Sequence, residues 1–351
     1  MTVGCDINFM YLLEEKPVPD HATFARFRSI HFAPCAKRIL AEMSNLLYEL
    51  GEISGATIFI DGTKIEACAN KYTFVWKKAV TKNQAKLLIK IADLIAECEQ
   101  LYGIRIVYGD IVKMKHVKRL RKKLYALKQE ENIVFVHGIG KRKTQLQKSI
   151  ETLEDYLERL KGYTKKLHIC GKRNSYSKTD PDATFMRMKE DAMGNGQLKP
   201  AFNLQYGVDS EYIVWLTIGP HLADTTTLIP FLKETEEYLA FKYQKIIADA
   251  GYESEENYVF LDTNQQLAFI KPSNYEISKK RKYKNDIGRI ENMDYDEESD
   301  SYICKNGKQL SFTHLRHSKS KTGYVSVKNI YQCKKYFQWW ITFSVQKILP
   351  G

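Results

Sequence analysis

Apolar residues recur at two different spacings along the chain, and the change between them divides the sequence. The first 55 residues read as helical, because apolar positions over 35–50 return every three or four residues. The same spacing predicts three further helices, over 82–101, 111–131 and 143–167. In 143–167 the apolar steps alternate four and three, a short heptad seam, so we expect a hairpin of long helices.

After Gly171 the pattern changes to strand-like alternation. Residues 201–219 alternate apolar and polar positions on both sides of a polar turn, which predicts a β-hairpin. Two short apolar runs, 56–60 and 245–248, are predicted as buried strands that end at the carboxylates of Asp61 and Asp249. A further strand, two more helices and a β region are expected at 266–270, after Asp224 and after Ala250, and over 301–332. Residues 276–300 are expected to form a charged loop.

Composition restricts the kind of protein. The 351 residues contain 54 Lys and Arg against 42 Asp and Glu, a net charge of +12 that favours a polyanionic partner. The sequence contains no run of 18 apolar residues, and its first residues lack the features of a signal peptide, so we expect no membrane partner. Its seven cysteines form no C-x-x-C pair, which argues against a disulfide scaffold and favours a reducing cytosol.

The positive charge is concentrated in one segment. Residues 77–166 contain 22 Lys and Arg and 10 Asp and Glu, so this segment carries the whole excess and the rest of the chain sums to zero. We expect it to be the main contact with nucleic acid, although a solvated basic helix face would give the same pattern. The expected DNA-binding residues are Lys115, Lys118, Arg119, Arg121, Lys122, Lys123, Lys141, Arg142 and Lys143.

The two aspartates at strand ends are the candidate chemistry. If their strands are neighbours in one sheet, Asp61 and Asp249 lie together at its rim, and a cation must offset their repulsion. Carboxylates without nearby His or Cys suit Mg²⁺ or Mn²⁺ rather than zinc. Either aspartate taken alone is explained as well by a turn or a helix cap.

Five ordered sequence blocks resemble those of bacterial insertion-sequence transposases, which have an RNase H-like DDE catalytic domain. The resemblance extends from about Cys5 to Cys333 and includes a block at 18–28 near the end of the family's N-terminal domain. The five blocks are Asp61-Gly-Thr-Lys-Ile-Glu-Ala, Ser177-Lys-Thr-Asp-Pro-Asp-Ala, Gly196-Gln-Leu-Lys-Pro-Ala-Phe-Asn, Asp224-Thr-Thr-Thr-Leu-Ile-Pro-Phe and Ala248-Asp-Ala-Gly-Tyr-Glu-Ser.

The resemblance implies an α/β fold: an RNase H-like mixed sheet with flanking helices, interrupted by a long basic helical insertion. A helical N-terminal segment precedes this core and a small β appendix follows it. The implied divisions are 1–55 for the N-terminal segment, 56–79 and 167–275 for the catalytic core, 80–166 for the insertion, 276–332 for the charged loop and β appendix, and 333–351 for an aberrant tail.

The resemblance also implies roles for single residues. Asp61 and Asp249 match the family's first two catalytic acids and would both bind Mg²⁺ or Mn²⁺. Asp180 and Asp182 match a motif expected to position substrate DNA, although a Pro-containing turn explains them equally well. Asp224 is expected only to cap its helix.

The family's third acid, a Glu, has no counterpart here. Residues 301–351 contain no Asp or Glu, and the tail after Cys333 fits neither the family's cysteine cluster nor an amphipathic pattern. We therefore expect a truncated or frameshifted copy that is also shortened at its start. Its tail aromatics are expected to favour aggregation. Glu297, Glu298 and Asp300 are the nearest substitutes for the missing acid.

The resulting hypothesis is a DNA transposase that cleaves and joins transposon ends, impaired by the lost acid. The alternatives are a non-catalytic DNA-binding remnant that interferes with an intact transposase, and a metal-dependent nuclease unrelated to transposition. The expected partners are double-stranded DNA, at transposon ends and target, and a second copy or an intact transposase. We expect the protein in the bacterial cytoplasm, associated with the nucleoid.

Two weaker signals stay open. Tyr72, Phe74 and Trp76 alternate beside lysines, which suits either strand packing or stacking on unpaired bases. His314 and His317 suit a solvated or phosphate-facing pair rather than a metal site.

Overall fold

The structure is a computed structural model. It describes residues 19–138, 140–188, 196–320, 322–333 and 340–342, with Tyr11, Leu13 and Gly194 as single positions. The predictions for the start of the chain and for most of the tail after Cys333 lie outside these residues.

Contacts divide the chain into two compact units. The first contains Met1–Thr63, Leu204–Thr217 and Ala223–Gly351, and the second contains Lys64–Asn203 and Ile218–Leu222. These borders differ from the divisions inferred from sequence, which stay a proposal. No helix in the described part of the chain combines the length and the apolar character that crossing a bilayer requires.

The predicted helices and strands occur in their predicted order along the chain. The described strands are β1 (Thr57–Glu66), β2 (Phe74–Trp76), β3 (Ser175–Ser177), β4 (Thr184–Arg187), β5 (Leu198–Asp209), β6 (Tyr212–Gly219), β7 (Lys245–Ala248), β8 (Leu267–Ile270), β9 (Asp294–Asp296), β10 (Ser301–Ile303), β11 (Gln309–Lys319), β12 (Val325–Cys333) and β13 (Trp340–Thr342). The described α-helices are α1 (His21–Phe27), α2 (Ala33–Glu49), α3 (Lys77–Tyr102), α4 (Met114–Glu130), α5 (Gln145–Cys170), α6 (Leu228–Tyr238), α7 (Glu255–Thr263), α8 (Tyr275–Ser278) and α9 (Arg281–Lys284).

The first unit is built on a sheet in which β1, β7 and β8 are parallel neighbours. β5 lies on the other side of β1, and β6 pairs with β5. Helices α6 and α7 contribute Leu228, Phe231 and Leu261 to the core on one face of this sheet. The fold is therefore α/β with a mixed sheet, as the sequence predicts.

The prediction that 56–60 forms a buried strand holds for one face of the strand only. Ile58 and Ile60 are buried in the core, whereas Phe59 between them is 51% exposed. Phe269 on β8 is 53% exposed in the same way. An apolar run does not distinguish a strand buried on both faces from one buried on a single face, because its β-branched residues suit either environment.

The hairpin predicted over 201–219 is confirmed as β5 and β6. Its polar residues, however, face inwards. Asn203, Gln205 and Asp209 are buried, while Tyr206 between them is half-exposed. These three side chains all have partners: Asp209, for example, accepts a hydrogen bond from the Gly55 N–H at 2.8 Å. Paired polar groups can occupy a core without the cost of an orphaned donor or acceptor.

The second unit contains three long helices with a core of their own. The predicted helices 82–101, 111–131 and 143–167 are confirmed as α3, α4 and α5, each with shifted ends. Their predicted apolar faces are the buried ones, and Leu87, Leu120 and Leu153 lie at the centre. At the base, β2 pairs with β3, and the Lys77 N–H donates to the Asn174 carbonyl at 2.9 Å.

The C-terminal part of the first unit is a second, antiparallel sheet of β9 to β13. Its small core includes Tyr302, Leu310 and Tyr331. The long hairpin of β11 and β12, residues 309–333, is called the arm below. The charged stretch 276–300, predicted as a loop, contains the short helices α8 and α9 and strand β9.

Candidate active site

Asp61 and Asp249 occupy equivalent positions on neighbouring parallel strands. The register pairs Ile60 of β1 with Ala248 of β7, and the residue that follows each of them is an aspartate. Neighbouring strands lie about 4.8 Å apart, which brings the two backbones side by side. The sequence predicts that Asp61 ends its strand, but β1 continues to Glu66. The described β1–β7 pairing, however, ends immediately before Asp61.

Each aspartate is oriented by local hydrogen bonds. Asp61 Oδ1 accepts from the Gly62 N–H at 2.7 Å, and its Oδ2 accepts from the Tyr206 hydroxyl at 3.2 Å. Asp249 Oδ1 accepts from the Gly251 N–H at 2.8 Å and so caps a short 3₁₀ turn. Both carboxylates are therefore held in fixed orientations, with oxygens of the type that a hard metal ion binds.

A buried polar network lies beneath this pair, on the inner face of the sheet. The Tyr252 hydroxyl donates to Gln205 Oε1, and Gln205 Nε2 donates to Asp224 Oδ1 at 3.1 Å. Tyr252 and Gln205 are both buried. The expectation that Asp224 only caps a helix is wrong, since its Oδ1 accepts a hydrogen bond from Gln205 and so belongs to this network.

Two glycines leave room for the network. A Cβ at Gly62 would lie 2.5 Å from Gln205 Nε2 and 3.1 Å from Asp224 Oδ1. A Cβ at Gly251 would lie 3.0 Å from Asp249 Oδ1 and 3.3 Å from Asp224 Oδ2. Both carboxylates therefore lie close to Gly251. The Asp224 carboxylate thus lies close to the glycines that neighbour both aspartates.

The tyrosines remain hydrogen-bond donors at physiological pH. Burial raises the pKa of Tyr252, and the charges of Asp224, Asp61 and Asp249 raise it further. Burial and the neighbouring Asp61 carboxylate likewise raise the pKa of Tyr206. Both hydroxyls therefore stay protonated and can hold their acceptors in place.

The carboxylate pair fits Mg²⁺ or Mn²⁺ by donor type. Within the described ranges no group of three or more His, Cys, Asp or Glu side chains is arranged to hold a metal ion. Magnesium commonly uses one or two carboxylates and completes its shell with water and substrate phosphate oxygens. Two hard oxygen donors on a solvent-exposed rim suit that mode of binding.

Asp180 and Asp182 belong to the second unit, where Asp180 Oδ1 accepts a hydrogen bond from the Asp182 N–H at 3.1 Å. That bond defines an Asx turn, which is the structural explanation left open by the sequence.

The predicted DNA-binding residues are solvent-accessible but not equivalent. Arg121 pairs with Glu154 at 2.5 Å and Lys143 with Glu151 at 2.6 Å. Four of the others lie on one side of α4, at positions i, i+3, i+4 and i+7, and form no ion pair with any described residue. This basic stripe consists of Lys115, Lys118, Arg119 and Lys122.

The aromatic cluster at β2 is only partly packed. Phe74 contacts the rings of Trp76 and Phe185, but Phe74 remains 49% exposed and Tyr72 70% exposed. Core packing therefore explains Val75, which is buried. The exposed rings suit either strand packing or stacking on unpaired bases.

The sequence alone gives no sign that Gln205, Tyr206 and Tyr252 belong to the site. Alternation predicts the hairpin but does not indicate which of its two faces is buried, and Tyr252 stands out in the sequence only as part of the Asp-Ala-Gly-Tyr block. Gln205 lies on β5, next to β1, and its sequence neighbours do not distinguish a buried amide from an exposed one.

The fold and the site define a mixed-sheet α/β protein whose neighbouring parallel strands present two carboxylates. Residues 173–334 match the family model of the transposase DDE domain, which confirms the resemblance to insertion-sequence transposases with a DDE domain. The matched range includes Asp224 and Asp249, while Asp61 precedes it. No curated protein and no solved structure matches the chain.

Proposed function

We propose that the chain is a DNA transposase of an insertion sequence, with an RNase H-like core, that cleaves and joins phosphodiesters at transposon ends. The observation that carries this proposal is the register of β1 and β7, which sets Asp61 beside Asp249. The transposase DDE family match to 173–334 supports it independently.

Asp61 and Asp249 are the proposed ligands of Mg²⁺ or Mn²⁺. When bound, the ion supplies Lewis-acid stabilisation of the attacking and leaving oxygens of the phosphodiester. Tyr206 holds the Asp61 carboxylate by its hydroxyl, and the side chains of Asp224, Gln205 and Tyr252 form a hydrogen-bonded network close to the pair. The aspartates act as positioning ligands, so the protein forms no covalent bond to DNA.

The basic stripe on α4 is the proposed main contact with double-stranded DNA. The four positive charges lie on adjacent turns of one helix and repel one another. No acidic residue in the described part of the chain forms an ion pair with them. A phosphate backbone removes that repulsion, with release of counterions from the DNA.

One observation favours a second candidate function, a DNA-binding protein that does not cleave. Residues 301–351 contain no Asp or Glu, and the described residues provide only two of the three acids that the family resemblance implies. Such a protein would occupy transposon ends and compete with an active transposase. For the same reason we propose that any cleavage by this chain is slow, because an incompletely held ion positions the reacting atoms poorly.

A cleavage assay distinguishes these functions. The substrate is a labelled DNA fragment that carries the gene with its flanking sequence, incubated with protein and Mn²⁺. The transposase proposal expects slow nicking at the element boundary that is abolished in Asp61→Asn and in Asp249→Asn. Asp262→Asn, a change of an exposed acid on α7, serves as the matched control. DNA binding without Asp61-dependent nicking supports the second function, and a protein that neither binds nor nicks contradicts both.

A further inference from the structure

The arm has a local excess of positive charge that the composition of the whole chain conceals. Residues 309–333 contain four Lys and Arg, two His and no Asp or Glu. The five acids at 294–300 precede the arm in sequence and offset its charge in any overall count. The arm itself is largely exposed along β11.

Two cations lie directly opposite each other across the arm. The register of β11 and β12 pairs Arg316 with Lys328 and, two residues along, His314 with Ile330. Side chains at such positions have Cβ atoms about 5 Å apart, and like charges there destabilise the strand pair. Neither Arg316 nor Lys328 forms an ion pair with a residue that the structure describes, so no acid in that part of the chain offsets their repulsion.

The tip of the arm is tied to the segment that follows Asp249. The Tyr324 hydroxyl donates to Glu255 Oε1 at 2.9 Å, and the Thr322 hydroxyl donates to Glu256 Oε2 at 2.6 Å. These two glutamates begin α7, shortly after Asp249 in the same unit. The two glutamates thus bind the tip, while farther along the arm Arg316 is exposed and Lys328 is half-buried.

We propose that the arm binds the phosphate backbone of double-stranded DNA through Arg316 and Lys328. The arm is thus a second DNA contact, on the unit that contains the carboxylate pair. This inference rests on the proposed function and adds a binding surface outside the basic helices. A phosphate group between the two side chains would accept hydrogen bonds from the Arg316 guanidinium and from the Lys328 ammonium, and its negative charge would offset both positive charges. A two-stranded β-ribbon is also narrow enough for the DNA major groove, which is about 12 Å wide.

The test is the salt dependence of duplex binding by the full chain. Binding of a fluorescent 30-base-pair duplex is measured by anisotropy in EDTA over a series of NaCl concentrations. If each side chain contacts one phosphate, Arg316→Gln with Lys328→Gln should reduce the slope of log K against log salt by about 1.8.

The control pair is Lys37→Gln with Lys242→Gln. It changes the net charge equally but removes lysines already paired with Glu234 at 2.7 Å and Glu236 at 3.1 Å. Equal slopes for the two double variants would overturn the arm contact while leaving the proposed function standing. A parent protein that binds no duplex would overturn both.

A single variant separates binding from folding. Arg316→Glu places a carboxylate opposite Lys328 and replaces a repulsive pair with an attractive one. The proposal expects a melting temperature no lower than that of the parent, together with weaker DNA binding. If melting temperature and binding both fall, Arg316 has a structural role and the proposal is wrong.

Discussion

The helices of the second unit and the arm of the first are both basic, but they carry their charge differently. The segment 77–166 has 22 cations with 10 acids interleaved, and acids such as Glu151 and Glu154 neutralise part of its surface. The arm has only four Lys and Arg in 309–333, with no acid among them. Net charge therefore identifies the larger region, whereas unpaired charge on a defined face identifies where a phosphate would bind.

The largest expected effect comes from the basic stripe. Changing Lys115, Lys118, Arg119 and Lys122 together to Gln should lower the slope of log K against log salt by up to about 3.6, because each neutralised phosphate contributes about 0.9. The measurement is duplex binding by anisotropy. Arg121→Gln with Lys143→Gln is the control, since both residues already pair with glutamates. An unchanged slope in the fourfold variant would place the main contact outside α4.

Complete removal of the helices sharpens the same comparison. The strands β2 and β3 that flank them are paired, and Lys77 contacts Asn174, so residues 82–165 can be replaced by a short linker. The remaining chain should bind DNA weakly, with a flattened salt dependence that reflects the arm.

The second prediction separates DNA binding from metal binding. Asp61→Asn and Asp249→Asn should each weaken Mn²⁺ binding in a calorimetric titration, because each removes one of two charged ligands. Duplex binding in EDTA should be at least as tight as in the parent, since a negative charge is lost. Parent-like Mn²⁺ binding in both variants would show that the two residues do not share an ion.

The structure shows which part of this picture a sequence can provide. Periodicity located the long helices and the order of the strands, because one face of each element is buried and the spacing of apolar residues records it. It did not show which face of β5 is inside. Gln205 and Asp209 are buried because Tyr252, Asp224 and Gly55 supply partners from distant parts of the chain, and no local pattern contains that information.

In the candidate active site, too, the sequence predicts what depends on local pattern and not what depends on contacts between distant segments. Asp61 and Asp249 each follow an apolar run in the sequence, and the strand pairing then brings them together. The motif of Asp224 predicts a helix cap, because capping is a local property that a short stretch of sequence can show. Its contact with Gln205 depends on how β5 and β1 pack, which is a property of the whole sheet.

The third prediction concerns the support beneath the carboxylates. Gly62→Ala would place a methyl group against Gln205 and Tyr252, which should cost about 1–3 kcal/mol of unfolding free energy by overpacking. Urea denaturation measures the loss. Gly162→Ala in α5 is the control: its Cβ would meet nothing within 4 Å, and Ala should stabilise the helix by roughly 0.5–1 kcal/mol. A Gly62→Ala protein as stable as the parent would mean that the network can shift without cost.

The smallest expected effect is a pH dependence in the basic helices. His116 is buried at the start of α4, and its Nδ1 accepts a hydrogen bond from the Lys113 N–H at 3.0 Å. Burial lowers the pKa of His116, and repulsion from Lys115, Arg119 and Lys113 lowers it further. The folded state therefore favours the neutral imidazole. Stability from this group is complete above the unfolded pKa of about 6.5 and is lost as pH falls below it.

DNA reverses part of that effect if the stripe is its contact. Phosphates beside Lys115 and Arg119 would weaken the repulsion on His116 and bring its pKa back towards the ordinary value. The loss of stability between pH 6.5 and 5 should then be smaller with duplex bound than without it. Urea denaturation followed by circular dichroism at both pH values measures this difference, with His116→Gln as the control that should remove most of the pH dependence. An equal loss with and without DNA would show that the phosphates do not lie next to His116, and would count against the stripe as the binding surface.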